Sequence, residues 1–174
     1  MRSRDDIPAT LGELRYGTIA SVDLASARCT VAAGDLTSGP VRWIEVRAGA
    51  TRTWSPPTIG EQVLLICPEG DLAAGIVLRG IFSAANPPAG NSLRELIEFA
   101  DGAVLAYDPQ AQHLDIALPA GATVAIVGDV AITGKLVVSE TIAAAGDVTG
   151  DGVSLAHHLH GQVQAGGAKT GQPE

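Results

Sequence analysis

Aromatic side chains are scarce: two Trp, two Tyr and two Phe make up 3% of the 174 residues. Few rings and many small apolar residues fit thin strands and tight corners better than a thick globular core. Basic residues are also few. Eleven Lys and Arg against nineteen Asp and Glu leave a net charge of −8, so no nucleic-acid surface, which would need Lys and Arg, is expected. Cysteine is limited to Cys29 and Cys67. Both sit inside strand-like runs, where a free Cys commonly behaves as a small buried hydrophobe. A disulfide between them is open but not demanded, and nothing else points to an oxidising compartment. No apolar run is long enough to span a bilayer, and no basic-apolar-small leader opens the chain. Synthesis and assembly in a cytoplasm are therefore expected. A phosphate loop and a Ser–His–Asp set are also missing, since Ser154 lies near His157 with no orienting third group.

What the chain does have is 21 Gly and one very long alternation, from Leu114 to Leu155. Leu114, Ile116, Leu118, Val124, Ile126, Val130, Ile132, Leu136 and Val138 hold the even positions, and Ile142 and Val148 continue them. Asp115, Thr123, Asp129, Thr133, Lys135 and Ser139 fall between, and only Glu140 breaks the phase. A period of two means strands with one buried and one wetter face. Strands usually last about 5–6 residues and reset at each hairpin, yet this parity does not reset. Gly128-Asp129-Val130 recurs as Gly146-Asp147-Val148 eighteen residues on, with Gly134 and Gly152 following each copy. Such corners suit a chain turning about one axis. Its inner strip is too narrow to close a core alone, so copies of the chain are needed. Three wound together are expected, carrying −24 where one carries −8.

Ahead of this stretch the pattern is strand and turn. Residues 17–22 and 28–32 read as strands around the turn Asp23-Leu24-Ala25-Ser26. Val41 to Val46, Glu61 to Cys67 and Gly75 to Phe82 read as further strands, with a loop at Pro56-Pro57 and a turn at Pro68-Glu69-Gly70-Asp71. Five or six short strands in this span suggest a small barrel of the oligonucleotide/oligosaccharide-binding (OB) type. Asn86-Pro87-Pro88 marks a linker. Beyond it a hairpin is expected around Asp101-Gly102, from Leu96–Phe99 to Ala103–Tyr107.

Near the C-terminus stand His157, His158 and His160; His113 is the fourth histidine. In an extended segment His158 and His160 share a face, and His157 points the other way. Three chains would bring six imidazoles to an axis, enough for an octahedral site. Zinc usually takes four ligands, so iron is preferred, with nickel and cobalt open on ligand type. The same tract also fits a solvated turn.

With these pieces placed, the chain resembles the baseplate assembly protein V family, the central spikes of contractile phage tails and tailocin-like injection machines. The resemblance rests on the OB-like pattern with Ile59-Gly60-Glu61-Gln62-Val63-Leu64-Leu65 and Pro68-Glu69-Gly70-Asp71. It continues in Phe99-Ala100-Asp101-Gly102 with Tyr107-Asp108, the Gly-Asp-Val repeats, and the ending Gly152-Val153-Ser154-Leu155, His158-Leu159-His160 and Thr170-Gly171-Gln172-Pro173. It implies an all-β chain: an OB barrel followed by a trimeric, intertwined triple-stranded β-helix with a metal-bound tip. The expected division is an arm over 1–13, an OB domain over 14–83, a linker over 84–92, a β-helical spike over 93–152 and a tip over 153–174. It implies one iron ion per trimer, held by His158 and His160 of each chain. It also implies a non-enzymatic, mechanical role in the tail baseplate of a virion or tailocin particle. The OB domain would dock on hub or baseplate proteins, and the tip would pierce the outer membrane of a target bacterium.

Two other classes compete. Gly128, Gly134, Gly146 and Gly152 are spaced by multiples of six, as in trimeric left-handed β-helix acyltransferases that use a histidine; the order fades at Glu140. An OB module gripping single strands or sugars would use Tyr16, Trp43 and Trp54 with Arg42, Arg47 and Arg52, against the acidic charge of the whole chain. Asp129, Asp147 and Asp151 would suit further ions, but corner turns favour Asp in any case.

Overall fold

Val63, Leu65 and Cys67 alternate with Gln62, Leu64 and Ile66, and that alternation builds the central strand of the N-terminal half. The computed structural model describes residues 13–159, Gly161 and Gly166, apart from the side chain of Glu69. The arm over 1–13 and the tip over 153–174, as expected from the sequence, therefore lie largely outside the described residues. Six strands form one sheet in the order β3-β2-β1-β5-β6-β4: β1 (Glu13–Asp23), β2 (Arg28–Ala33), β3 (Leu36–Thr37), β4 (Arg42–Trp43), β5 (Gln62–Cys67) and β6 (Ile76–Leu78). All neighbours are antiparallel except β4 and β6. The sheet curls so that Cys29 and Val41 exchange both backbone hydrogen bonds, at 3.0 and 2.9 Å. This gives an OB-like half-barrel.

Its core is Ile19, Cys29, Val31, Val41, Trp43, Val63, Leu65, Cys67 and Val77. Cys29 and Cys67 are both free and buried, as small hydrophobes in strands. The register of β1 against β2 shifts between Ile19 and Ser21, so Ala20 is an extra residue. This bulge lets both Ile19 and Val22 turn toward the core, which strict alternation would forbid. The β1–β2 turn is capped by Asp23, whose carboxylate accepts from Ala25 N at 3.0 Å and from the Ser26 hydroxyl at 2.6 Å.

The expected strand from Val41 to Val46 shrinks to Arg42–Trp43. The cause is Glu45, which draws the following loop around its own carboxylate. Oε1 accepts from the Trp43 indole and from Ser55 N, each at 2.9 Å, and Oε2 accepts from the Thr53 hydroxyl at 2.9 Å. Arg79 lies 3.6 Å from the same carboxylate and donates to the carbonyls of Ile44 and Ser55.

A second sheet follows, β7-β8-β9: Glu95–Glu98, Val104–Asp108 and His113–Ala117. The Asp101-Gly102 turn stands where the hairpin was expected, with Gly102 at φ 87°. Asp115 on β9 holds Arg94 at 2.9 Å and His113 at 3.0 Å. On the other face Ile97, Leu105 and Ile116 stand in one row, and Tyr107 and Leu114 in the next. All five are exposed in the single chain.

After β9 the strands stop until β10 (Thr149–Gly150) and β11 (Val153–Ser154). Every residue from 120 to 153 is exposed. Between β9 and β10 the long alternation thus does not become a ladder within one chain, because its backbone groups have no partner strand there. A triple-stranded β-helix is an assembly of copies that one chain does not form alone; the expected metal-bound tip is corrected, since among the described residues no side-chain cluster could hold a metal ion. By internal packing the chain divides into Met1–Thr123 and Val124–Glu174.

Candidate functional site

The C-terminal hairpin carries most of the polar chemistry of its unit. β10 and β11 pair antiparallel, Thr149 with Ser154 and Gly150 with Val153. The two residues between them, Asp151 and Gly152, have φ of 49° and 78°. Two positive φ values in a two-residue loop match the twist of a tight hairpin, which is why Asp-Gly is favoured there. Leu155 N donates to Val148 O at 2.9 Å and lengthens the ladder.

Asp147, from the second Gly-Asp-Val copy, closes the hairpin from outside. Its carboxylate accepts from the Ser154 hydroxyl and from Ala156 N, the latter at 3.0 Å. These bonds, the Ser154 hydroxyl first, hold the Asp147 carboxyl below the usual carboxylate range. Hydrogen bonds to the charged form have that effect. Ser154 in turn accepts from His157 N through its hydroxyl at 2.8 Å and from His158 N through its carbonyl at 3.1 Å. The first Gly-Asp-Val copy has Leu136 and Val138 where the second has Ser154 and Ala156. The clasp is therefore specific to the last turn.

Asp147, Ser154 and two histidines meet here, yet they do not make a catalytic triad. His157 reaches Ser154 through its backbone, and the serine hydroxyl is tied directly to the carboxylate. Nδ1 of His158 lies 3.0 Å from Ser154 O and 3.2 Å from Leu155 O. A carbonyl only accepts, so Nδ1 carries the proton and faces the backbone. The arrangement orders a chain end; it does not activate a nucleophile.

Of the expected metal ligands, His158 is in this turn and His160 lies outside the described residues. Among the described residues no group of three or more His, Cys, Asp or Glu side chains could hold a metal ion. The expected iron, one per trimer with six His ligands, is corrected on that finding. Asp147 is engaged by Ser154 and Ala156, and both cysteines are deep in the half-barrel core.

Trp43 is core, and Trp54 leans on it with ring centroids 5.4 Å apart at 55°. Tyr16 stands exposed on β1, and Arg47 and Arg52 lie in the loop beyond β4. Two features escaped sequence reasoning: the Glu45–Arg79 node and the Asp147–Ser154 clasp. The clasp had a visible signal, an Asp and a Ser flanking an Asp-Gly turn. The node had none, because its partners are far apart in the chain.

Comparison with known proteins agrees with this architecture. Residues 15–82 match the family described as the Type VI secretion system/phage-baseplate injector OB domain, and residues 152–174 match the GpV Apex motif. The chain is 39% identical over 121 residues to the spike protein of Escherichia phage P2, an alignment covering 69% of this chain. It spans 57% of that relative's length, little more than half. Through its N-terminal half-barrel the chain therefore matches the OB domain of the baseplate assembly protein V family.

Proposed function

We propose that the protein is the central spike of a contractile tail baseplate, acting mechanically and catalysing no reaction. Three copies wind their 93–152 segments about one axis into a β-helical rod. The half-barrel over 14–83 docks on hub proteins, the residues over 84–92 connect the two, and the rod ends in a tip over 153–174. His158 and His160 are assigned to that tip. Sheath contraction drives the tip through the outer membrane of a target bacterium, and the assembled particle, a virion or a tailocin, is where the protein resides.

The observation that carries this reading is the unbroken exposure from 120 to 153. Ile126, Ile132, Leu136 and Ile142 are 58–70% exposed in one chain, and soluble proteins seldom leave a contiguous apolar strip of that kind uncovered. Identical strips on three copies cover one another, and shared ladders leave few free strand edges. The matched OB domain and apex motif, with the likeness to a phage spike protein, support the same assembly.

Mass in solution tests it directly. The purified chain should have the mass of three copies. Ile132→Asp, on the inner parity, should dissociate it, whereas Thr133→Asp, on the outer parity, should leave it assembled. A monomeric wild-type chain, or equal behaviour of the two variants, would refute the winding.

A further inference from the structure

Charge is divided unevenly along this chain. Over 14–83 six Arg and six Asp or Glu cancel, so the whole −8 is carried outside the half-barrel. Inside it Arg15 is paired with Glu13 and Arg79 with Glu45, whereas among the described residues Arg42, Arg47 and Arg52 make no ion pair. Residues 46–60 contain no acid at all, so the loop leaving β4 presents Arg47 and Arg52 unopposed. That loop is also tied in place. Thr53 N donates to Arg47 O at 3.0 Å, Arg47 N donates to the Thr53 hydroxyl at 3.1 Å, and Ala48 and Arg52 form an antiparallel bridge. The same hydroxyl donates to Glu45 at 2.9 Å, which fastens the loop to the Glu45–Arg79 node. Gly49 N closes the tip on Thr51 O at 3.1 Å. Arg47 and Arg52 flank this tip, with Val46 84% and Trp54 59% exposed just outside them.

We infer that the loop over 46–54 is the surface through which the half-barrel grips another baseplate protein, and that this partner offers carboxylates to Arg47 and Arg52 beside an apolar recess for Trp54 and Val46. The inference rests on the half-barrel being the docking end, and supplies the surface and its chemistry. Composition selects a protein of opposite charge. Trp and Arg carry much of the binding energy at protein interfaces, and a guanidinium binds a carboxylate through two parallel hydrogen bonds. The same loop of another copy would bring arginine to arginine, and like charges across an interface repel. A nucleic-acid strand needs several stacking rings along a basic groove, whereas Trp54 is the loop's one aromatic residue and Trp43 is core. Glu45, the acid that precedes the loop, turns its carboxylate inward to Trp43, Ser55, Thr53 and Arg79. It therefore orders the loop before a partner arrives without cancelling the charge outside, and a preordered loop loses less entropy on binding.

Incorporation into particles tests this. The full-length chain is expressed in cells that make the contractile particle but lack their own copy of its gene, and the chain recovered in purified particles is measured per cell. Arg47→Glu with Arg52→Glu should keep the wild-type mass in solution and the wild-type tryptophan emission, yet fall about tenfold in particles. Lys135→Glu shifts the charge in the same direction outside the half-barrel and should enter as the wild type does. Should the reversed chain fail to fold, Arg47→Gln with Arg52→Gln removes both charges without reversing them and should show a fall in the same direction. Wild-type recovery of a folded loop variant overturns the inference, and so does equal exclusion of Lys135→Glu, which would make total charge the cause. Loss of the wild-type mass by a folded loop variant also overturns it and gives the loop to contacts between copies. A labelled single-stranded DNA that binds the wild type but not the loop variants overturns it in favour of nucleic acid. A wild-type chain that never enters particles removes the docking reading itself.

Discussion

Replacing Gly17 with alanine should destabilise the half-barrel more than any change of similar size on its surface. Gly17 lies on β1 where that strand passes between β2 and β5. A Cβ there would stand 2.5 Å from Val31 Cγ1 and 2.6 Å from Ala32 O. Real Cβ atoms do not come so close, so something must move. Val31 is fully buried and has no spare volume. Ala32 is paired with Thr18 in the β1–β2 ladder, so its carbonyl cannot retreat without opening backbone hydrogen bonds. Overpacking of this sort costs typically ~1–3 kcal/mol. For a unit of this size each kcal/mol lowers the melting temperature by roughly 4–8 °C, so ~2 kcal/mol corresponds to a fall of roughly 8–16 °C. Gly39 supplies the control, because its added Cβ meets nothing within 4 Å; Gly39→Ala should stay within about 0.5 kcal/mol of wild type. Both tryptophans, Trp43 and Trp54, lie in the half-barrel, so tryptophan fluorescence during thermal or urea unfolding reports on this part alone. Equal midpoints for Gly17→Ala and Gly39→Ala would show that the crossing is looser than these distances imply.

Two further outcomes follow from the carboxylates. Burial raises the Glu45 carboxyl, but hydrogen bonds from Ser55, Trp43 and Thr53 and the charge of Arg79 together outweigh it and leave it below its ordinary 4.5. A depressed folded value means stabilisation that is complete above the ordinary value and is lost as pH falls through the lowered one. Acid unfolding of the wild type should therefore show a component below pH 4.5 that Glu45→Gln lacks, and an unchanged acid profile in the variant would contradict the node. Asp147→Asn should loosen the hairpin clasp, because the amide is a weaker acceptor for the Ser154 hydroxyl and Ala156 N–H. Faster amide hydrogen exchange at Ala156, with no change at Val63 in the half-barrel, is the expected readout; equal exchange at Ala156 counts against the clasp.

How much of this was legible varied with how local the cause was. Alternation in Gln62–Cys67 and Arg28–Ala33, the Asp23 and Asp101-Gly102 turns and the buried character of both cysteines depend on near neighbours, and the chain displays them openly. The Ala20 bulge does not show, since Ile19 and Val22 both face the core only because β2 is offset against β1. Nor does the shortening of Val41–Val46, which depends on Glu45 meeting Ser55 and on Arg79 arriving from beyond β6. Imidazole spacing at His158 and His160 suggested a metal cage, whereas among the described residues the fold gathers no group of three or more His, Cys, Asp or Glu side chains that could hold an ion.

By itself, then, the order of residues determined the strand-rich character, the acidic surface, the placement of turns and the two-residue phase running past Leu114. Only the tertiary structure decided where a strand may bend, which carboxylates are engaged, and that between β9 and β10 the phase finds no ladder inside one chain. The reason is physical: periodicity records which face of a strand prefers to leave water, but hydrogen-bond partners and packing volumes belong to whatever segment comes to lie alongside.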